Sequence, residues 1–97
     1  MVSPLIFDPL YDDSDHLLLF GDFLTIAEIK SSTDTSAVKE AIGQVLTYSE
    51  VIKVELDLIG YPRIPIDKVI VLPREDNGIN PLLEIVCEAL NINIVYV

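Results

Sequence analysis

The sequence predicts an α/β domain with a mixed sheet, whose elements follow in the order β-β-α-β-α-β. Two apolar runs at residues 16–20 and 23–30 are joined by Gly21-Asp22, which suits a tight hairpin turn. Strand and helix patterns then alternate, which indicates parallel neighbours joined by right-handed crossovers. The runs at 68–72 and 92–97 are largely apolar, as expected of strands covered on both faces by flanking helices.

The helices are indicated by their caps and their apolar spacing. Residues 31–36 are polar and offer several N-caps, and a helix is predicted over about 36–53. Its apolar face is formed by Val38, Ala41, Ile42, Val45, Ser49 and Ile52. Residues 54–59 fit either the end of this helix or a short strand. Asn80-Pro81 is a typical helix start, so a second helix is expected from there to about Leu90.

Length and composition indicate a single compact domain over residues 1–97, with residues 1–14 irregular. The chain is 51% hydrophobic, more than so small a core can bury, so a homodimer or larger oligomer is expected. No apolar run reaches the ~18–20 residues that a membrane helix requires. The only cysteine, Cys87, excludes an internal disulfide, and residues 1–8 lack signal-peptide features. These features favour a cytoplasmic protein.

The charge balance is strongly acidic, with six Lys+Arg against sixteen Asp+Glu and a formal net charge of −10. Proteins that hold nucleic acid usually present a basic patch, which releases counterions from the phosphates. The basic residues of this chain are scattered along the sequence. Strong non-specific DNA binding by the isolated domain is therefore not expected, and a DNA-binding role would need a dimer or a partner protein that supplies basic surface.

The hairpin carries the most informative polar residues. Asp15 precedes the first strand, while Glu28 and Lys30 end the second. Residues two apart on a strand point the same way, so Glu28 and Lys30 share a face. Antiparallel pairing would carry Asp15 toward Glu28. Two carboxylates beside a lysine are suited to a hard divalent cation and to phosphodiester hydrolysis.

This pattern resembles the core of the PD-(D/E)xK nuclease superfamily, which has a restriction-endonuclease-like fold. The spacing from Asp15 to Glu28 and Lys30, followed by Ser31, is similar to that of archaeal Holliday-junction resolvases. The helix that follows carries Gln44 and Tyr48, four residues apart and on one side of the helix. This pair resembles the Gln-xxx-Tyr motif of the RecB-like branch, and it stands at the same place relative to the Glu-x-Lys strand.

The resemblance implies an endonuclease that hydrolyses DNA phosphodiester bonds, with branched or flapped structures as candidate substrates. Asp15 and Glu28 would ligate Mg²⁺ or Mn²⁺, and the backbone carbonyl of Ile29 could add a ligand. Lys30 would orient the attacking water and steady the charged phosphorus centre. Gln44 and Tyr48 would position Lys30 or a substrate phosphate.

The chain also departs from the family pattern. Ser14 stands where the motif has proline, and no helix precedes the hairpin to supply a further glutamate; Asp8, Asp12 or Asp13 could substitute. The superfamily includes proteins that keep the fold and have lost cleavage. The alternative is therefore a non-catalytic domain of this fold that acts in self-assembly or protein–protein interaction. In a third interpretation, Glu28 and Lys30 form an ordinary charged pair on a strand of a generic α/β domain.

Overall fold

A computed structural model describes the backbone of residues 16–20, 23–75 and 78–97, and the side chains of 23–75 and 78–97. Its elements are β1 (His16–Phe20), β2 (Leu24–Ile29), α1 (Thr35–Leu58), β3 (Ile66–Leu72), α2 (Pro81–Ala89) and β4 (Ile92–Tyr96). The predicted α/β class is confirmed. The predictions for the irregular segment 1–14, Asp15 and the turns at 21–22 and 76–77 lie outside the described residues.

The four strands form one sheet in the order β1-β2-β3-β4. β1 pairs with β2 antiparallel, and His16 stands opposite Glu28. β2 pairs with β3, and β3 with β4, both in parallel. β3 begins at Ile66, two residues before the predicted start, because the ladder with β2 already extends to Pro65, whose carbonyl accepts from the Leu24 N–H.

Both helices cover the same face of the sheet. The two parallel crossovers step in the same direction from β2 to β3 to β4, and right-handed connections of this kind place both helices on one side. The helix-facing side is the core, formed by Leu24, Ile26, Ile70, Leu72, Ile92, Val38, Val45, Leu83 and Cys87 among others. No described helix covers the other side, which we call the open face. Val95 is 44% exposed and Asn93 is also exposed there, so the expectation that 92–97 is covered on both faces is wrong.

Helix α1 is longer than the apolar stripe alone indicates. Residues 54–58 continue it, so the strand alternative for that segment is wrong. The helix ends where Gly60 adopts a φ of +73°, a conformation that suits glycine. At the start of α2, the Asn80 side chain accepts from the Leu82 N–H at 2.9 Å, which confirms the predicted cap.

Candidate functional site

Glu28 is the most unusual side chain of the sheet. It lies on the helix-facing side of β2, in line with Leu24 and Ile26 and opposite Ile70 of β3, and it has no exposed surface. Burial of a carboxylate among aliphatic side chains costs several kcal/mol unless polar partners compensate. Glu28 takes part in at least one hydrogen-bonding, ionic, ring or electrostatic interaction. A polar group maintained in this position is a functional-site candidate rather than a contributor to stability.

Lys30 lies one step beyond the end of β2, on the same face as Glu28. Its N–H donates to the Val71 carbonyl at 3.0 Å, which extends the β2–β3 ladder past Ile29. Its ammonium Nζ donates to Oε1 of Glu40, on α1, at 2.8 Å. The Lys30 side chain is only 10% exposed and that of Glu40 is 63% exposed. The lysine is thus held back over the sheet by the first turns of the helix.

The sequence reasoning missed Glu40. A signal was present, because Glu40 precedes Gln44 by four residues and therefore lies on the same side of α1. The Gln-xxx-Tyr motif extends forward from Gln44 and does not include the turn before it.

Gln44 and Tyr48 follow Glu40 at one-turn intervals along α1, which returns antiparallel to β2. Four helical residues rise about 6 Å, close to the ~6.6 Å spanned by two strand residues. Counted from the Lys30–Glu40 contact, this spacing predicts that Gln44 lies near the level of Glu28. Gln44 is half-buried, and Tyr48, one turn further, is buried in the core at 8% exposure. The packing of Tyr48 agrees with both a structural and a positioning role.

Ile29 presents its side chain to the open face, where it is 36% exposed. The N–H groups of Leu24 and Lys30 both point to the β3 side. By the alternation of a strand, the carbonyl of Ile29 points to the β1 side. His16 of β1 pairs with Glu28, and Asp15 directly precedes His16 in the chain. The roles of Asp15 and of the Ile29 carbonyl as metal ligands stay predictions.

A second carboxylate that was not predicted lies at the same edge of the sheet. Oε2 of Glu75 accepts from Oγ1 of Thr33 at 2.8 Å, and Thr33 is buried. This hydrogen bond joins the loop after β2 to the loop after β3. Ligand sites of open α/β sheets form at the carboxyl ends of parallel strands. This general rule is the signal that could have identified the loop after β3 from the sequence.

The six basic residues are divided between the two ends of the sheet, and Lys39 and Arg74 lie with Lys30 toward the carboxyl ends of the parallel strands. Lys53, Arg63 and Lys68 line a groove of about 500 Å³ near the amino ends of the parallel strands. Two of them pair with acids, Lys53 with Glu50 at 3.2 Å and Arg63 with Asp57 at 3.6 Å. Nζ of Lys68 donates to the Leu90 carbonyl. These three basic residues therefore lie toward the end of the sheet opposite Lys30.

Within residues 23–75 and 78–97, no three His, Cys, Asp or Glu side chains gather as a metal-binding group. Over the described part of the chain, no helix combines the length and hydropathy needed to cross a membrane. Comparison with known proteins gives no match to a family model, to a curated protein or to a solved structure.

Proposed function

We propose that the protein is a metal-dependent endonuclease of the restriction-endonuclease-like fold, acting on DNA phosphodiester bonds. One observation supports this most strongly. A fully buried carboxylate, Glu28, shares a strand face with Lys30 at the carboxyl end of β2, beneath a helix that carries Gln44. This arrangement supports the Glu-x-Lys resemblance on which the proposal rests.

The described residues provide part of a metal site. Glu28 supplies the oxygen ligand that Mg²⁺ and Mn²⁺ prefer, but residues 23–75 and 78–97 contain no complete ligand group. The proposal therefore requires a further carboxylate from outside the described residues, and Asp15 is the one that the resemblance implies. A cation bound there would polarise the phosphoryl oxygens and lower the pKa of a bound water.

In this proposal Lys30 stabilises the charge on the phosphoryl group, and Glu40 positions Lys30. The Lys30 ammonium is a point charge suited to stabilising negative charge that develops on a phosphoryl oxygen. Its ion pair with Glu40 restricts the side chain to one direction, above the strand end. Glu40 acts through Lys30, so its removal should lower the rate less than removal of the lysine itself.

The acidic surface of the domain disfavours binding of long duplex DNA. With a net charge of −10 and three of the six basic residues at the opposite end of the sheet, the domain should bind long duplex DNA weakly. We infer that productive binding uses a homodimer or a partner protein with basic surface, and a branched or flapped substrate.

Cleavage of labelled linear, flapped and four-way-junction DNA in Mg²⁺ and in Mn²⁺ tests the proposal. We expect cleavage of a branched substrate that Lys30→Ala reduces at least about a hundredfold, a typical loss for one charge-stabilising group. Lys53→Ala, which removes an exposed lysine at the other end of the sheet, serves as the matched control and should cleave normally. Equal cleavage by wild type and Lys30→Ala would exclude the proposed role of the lysine.

A second candidate function is assembly without catalysis, and the open face of the sheet favours it. Ile29, Val95 and Val97 on that side are 36%, 44% and 75% exposed. Such a patch suits burial against another protein or another copy. Sedimentation of wild type and Val95→Lys tests assembly through this face, because an oligomer that forms there should dissociate in the variant. Absence of cleavage in the DNA assay would separate this function from the nuclease.

A further inference from the structure

The outer edge of β4 is available for hydrogen bonding. β4 is the last strand in the sheet order, and no described strand pairs with its far side. The N–H and carbonyl of Val97 both bond on the β3 side, to Leu72 and Arg74. Successive residues of a strand direct their backbone N–H and carbonyl groups to opposite sides. The groups of Ile92, Ile94 and Tyr96 therefore point outward, away from β3.

This edge lacks the features that usually prevent pairing. Residues 90–97 contain no charged side chain and no proline, although the chain as a whole has a net charge of −10. Natural edge strands are commonly protected by lysine, proline or a bulge. An uncharged edge with free backbone groups is a template for an added strand.

A groove accompanies the edge on the helix side. It has a volume of about 340 Å³ and is lined by residues of α2 and β4, including Glu84, Glu88, Ile92 and Ile94. Both glutamates are exposed, and neither forms an ion pair with a described cation. Burial raises the pKa of Tyr96 in β4, and the charge of Glu84 is the second cause of this shift.

The negative charges of Glu84 and Glu88 favour a basic partner strand over a second copy of this chain. If β4 of a second copy paired here about a two-fold axis, it would bring the second α2 alongside the first, with four carboxylates facing one another. Like charges placed together in this way oppose association. A strand with basic side chains on its helix-facing side would be attracted instead.

We propose that β4 and α2 bind an extended peptide segment of another protein, which adds as a fifth strand and carries Lys or Arg at alternate positions. The spacing matches: Glu84 and Glu88 are one helical turn, about 6 Å, apart. Alternate residues of an added strand are ~6.6 Å apart and point to the same side. Two basic side chains of the segment can therefore each meet one glutamate.

Fluorescence anisotropy with a labelled nine-residue peptide, Thr-Val-Lys-Val-Lys-Val-Lys-Val-Thr, tests the proposal. We expect saturable binding that weakens at least about fivefold in the Glu84→Gln/Glu88→Gln variant, since two partly exposed ion pairs are lost. The Glu50→Gln/Glu55→Gln variant changes the net charge by the same amount on α1 and should bind within about twofold of wild type. Equal loss in both variants would show only general charge attraction and would overturn the proposal.

Backbone methylation of the peptide tests strand addition without altering the protein. One peptide is methylated on its lysine nitrogens and the other on its valine nitrogens. An antiparallel strand would face β4 with the lysine nitrogens and a parallel strand with the valine nitrogens, because facing residues differ between the two ladders. We expect one methylated peptide to lose binding and the other to keep it. Retention by both, or no binding of the unmethylated peptide, would exclude an added strand.

Discussion

The ion pair between Lys30 and Glu40 should stabilise the folded protein by about 1 kcal/mol. At the observed 2.8 Å, Coulomb attraction would be about 6 kcal/mol at an effective dielectric constant of 20 and about 1.5 kcal/mol in water. Glu40 is 63% exposed, which favours the lower figure, and the side-chain entropy lost on pairing reduces it further. The low exposure of Lys30 places the pair at the upper end of the range for surface pairs.

A double-mutant cycle measures this coupling. The free energy of unfolding in urea is measured for Lys30→Met, Glu40→Gln and the double variant. The coupling energy is the difference between the change in the double variant and the sum of the changes in the two single variants. The pair of Lys53 and Glu50, at 3.2 Å and more than half exposed on both sides, provides a control cycle. We expect about 0.3 kcal/mol there. Coupling at Lys30 no larger than in the control would refute the idea that α1 holds the lysine in place.

Three further outcomes concern the rest of the fold. Ile70→Ala removes a fully buried side chain of the sheet and should lower the free energy of unfolding, measured in urea, by about 2–5 kcal/mol. Leu82→Ala, at a 64% exposed site, is the control and should change it by less than about 0.5 kcal/mol. Asn80→Ala removes the side-chain cap of α2 and should cost about 1 kcal/mol, measured by urea unfolding against Asp34→Ala, at the N-cap of α1 where the side chain makes no cap hydrogen bond. Burial first, then the charge of Glu84, raises the pKa of the Cys87 thiol above its ordinary 9.0, and burial also raises that of Tyr96. The unfolded chain therefore releases these protons at lower pH than the folded chain, so stability should fall as pH rises above about 9 and fall less steeply in Cys87→Ala; an equal slope in both proteins would contradict this assignment.

The sequence predicted the elements well where the local pattern was strong. The hairpin runs, the Asn80-Pro81 helix start and the buried strand near 68–72 each carry a signal within a few residues. Two features depended on longer-range geometry. The end of α1 at Leu58 could not be separated from a short strand because residues 54–59 are apolar on more than one side. The open face of the sheet follows from the direction of both crossovers, which no single segment contains.

The candidate site shows the same division. Glu28 and Lys30 could be placed on one face from the period of a strand alone. The partner of Lys30 could not, because Glu40 meets it only through the packing of α1 on the sheet. The hydrogen bond between Thr33 and Glu75 likewise joins two loops that are 42 residues apart, which the order of elements suggests but local patterns do not identify.

The most direct test of the proposed function is calorimetric titration of Mn²⁺ into wild type, Glu28→Gln and Glu50→Gln, with circular dichroism to verify that each is folded. The account predicts saturable binding by wild type and by Glu50→Gln, an exposed acid on the outside of α1, and its loss in folded Glu28→Gln. Binding that is the same in all three proteins, or absent from wild type, would contradict a metal site at Glu28 and with it the proposed nuclease activity.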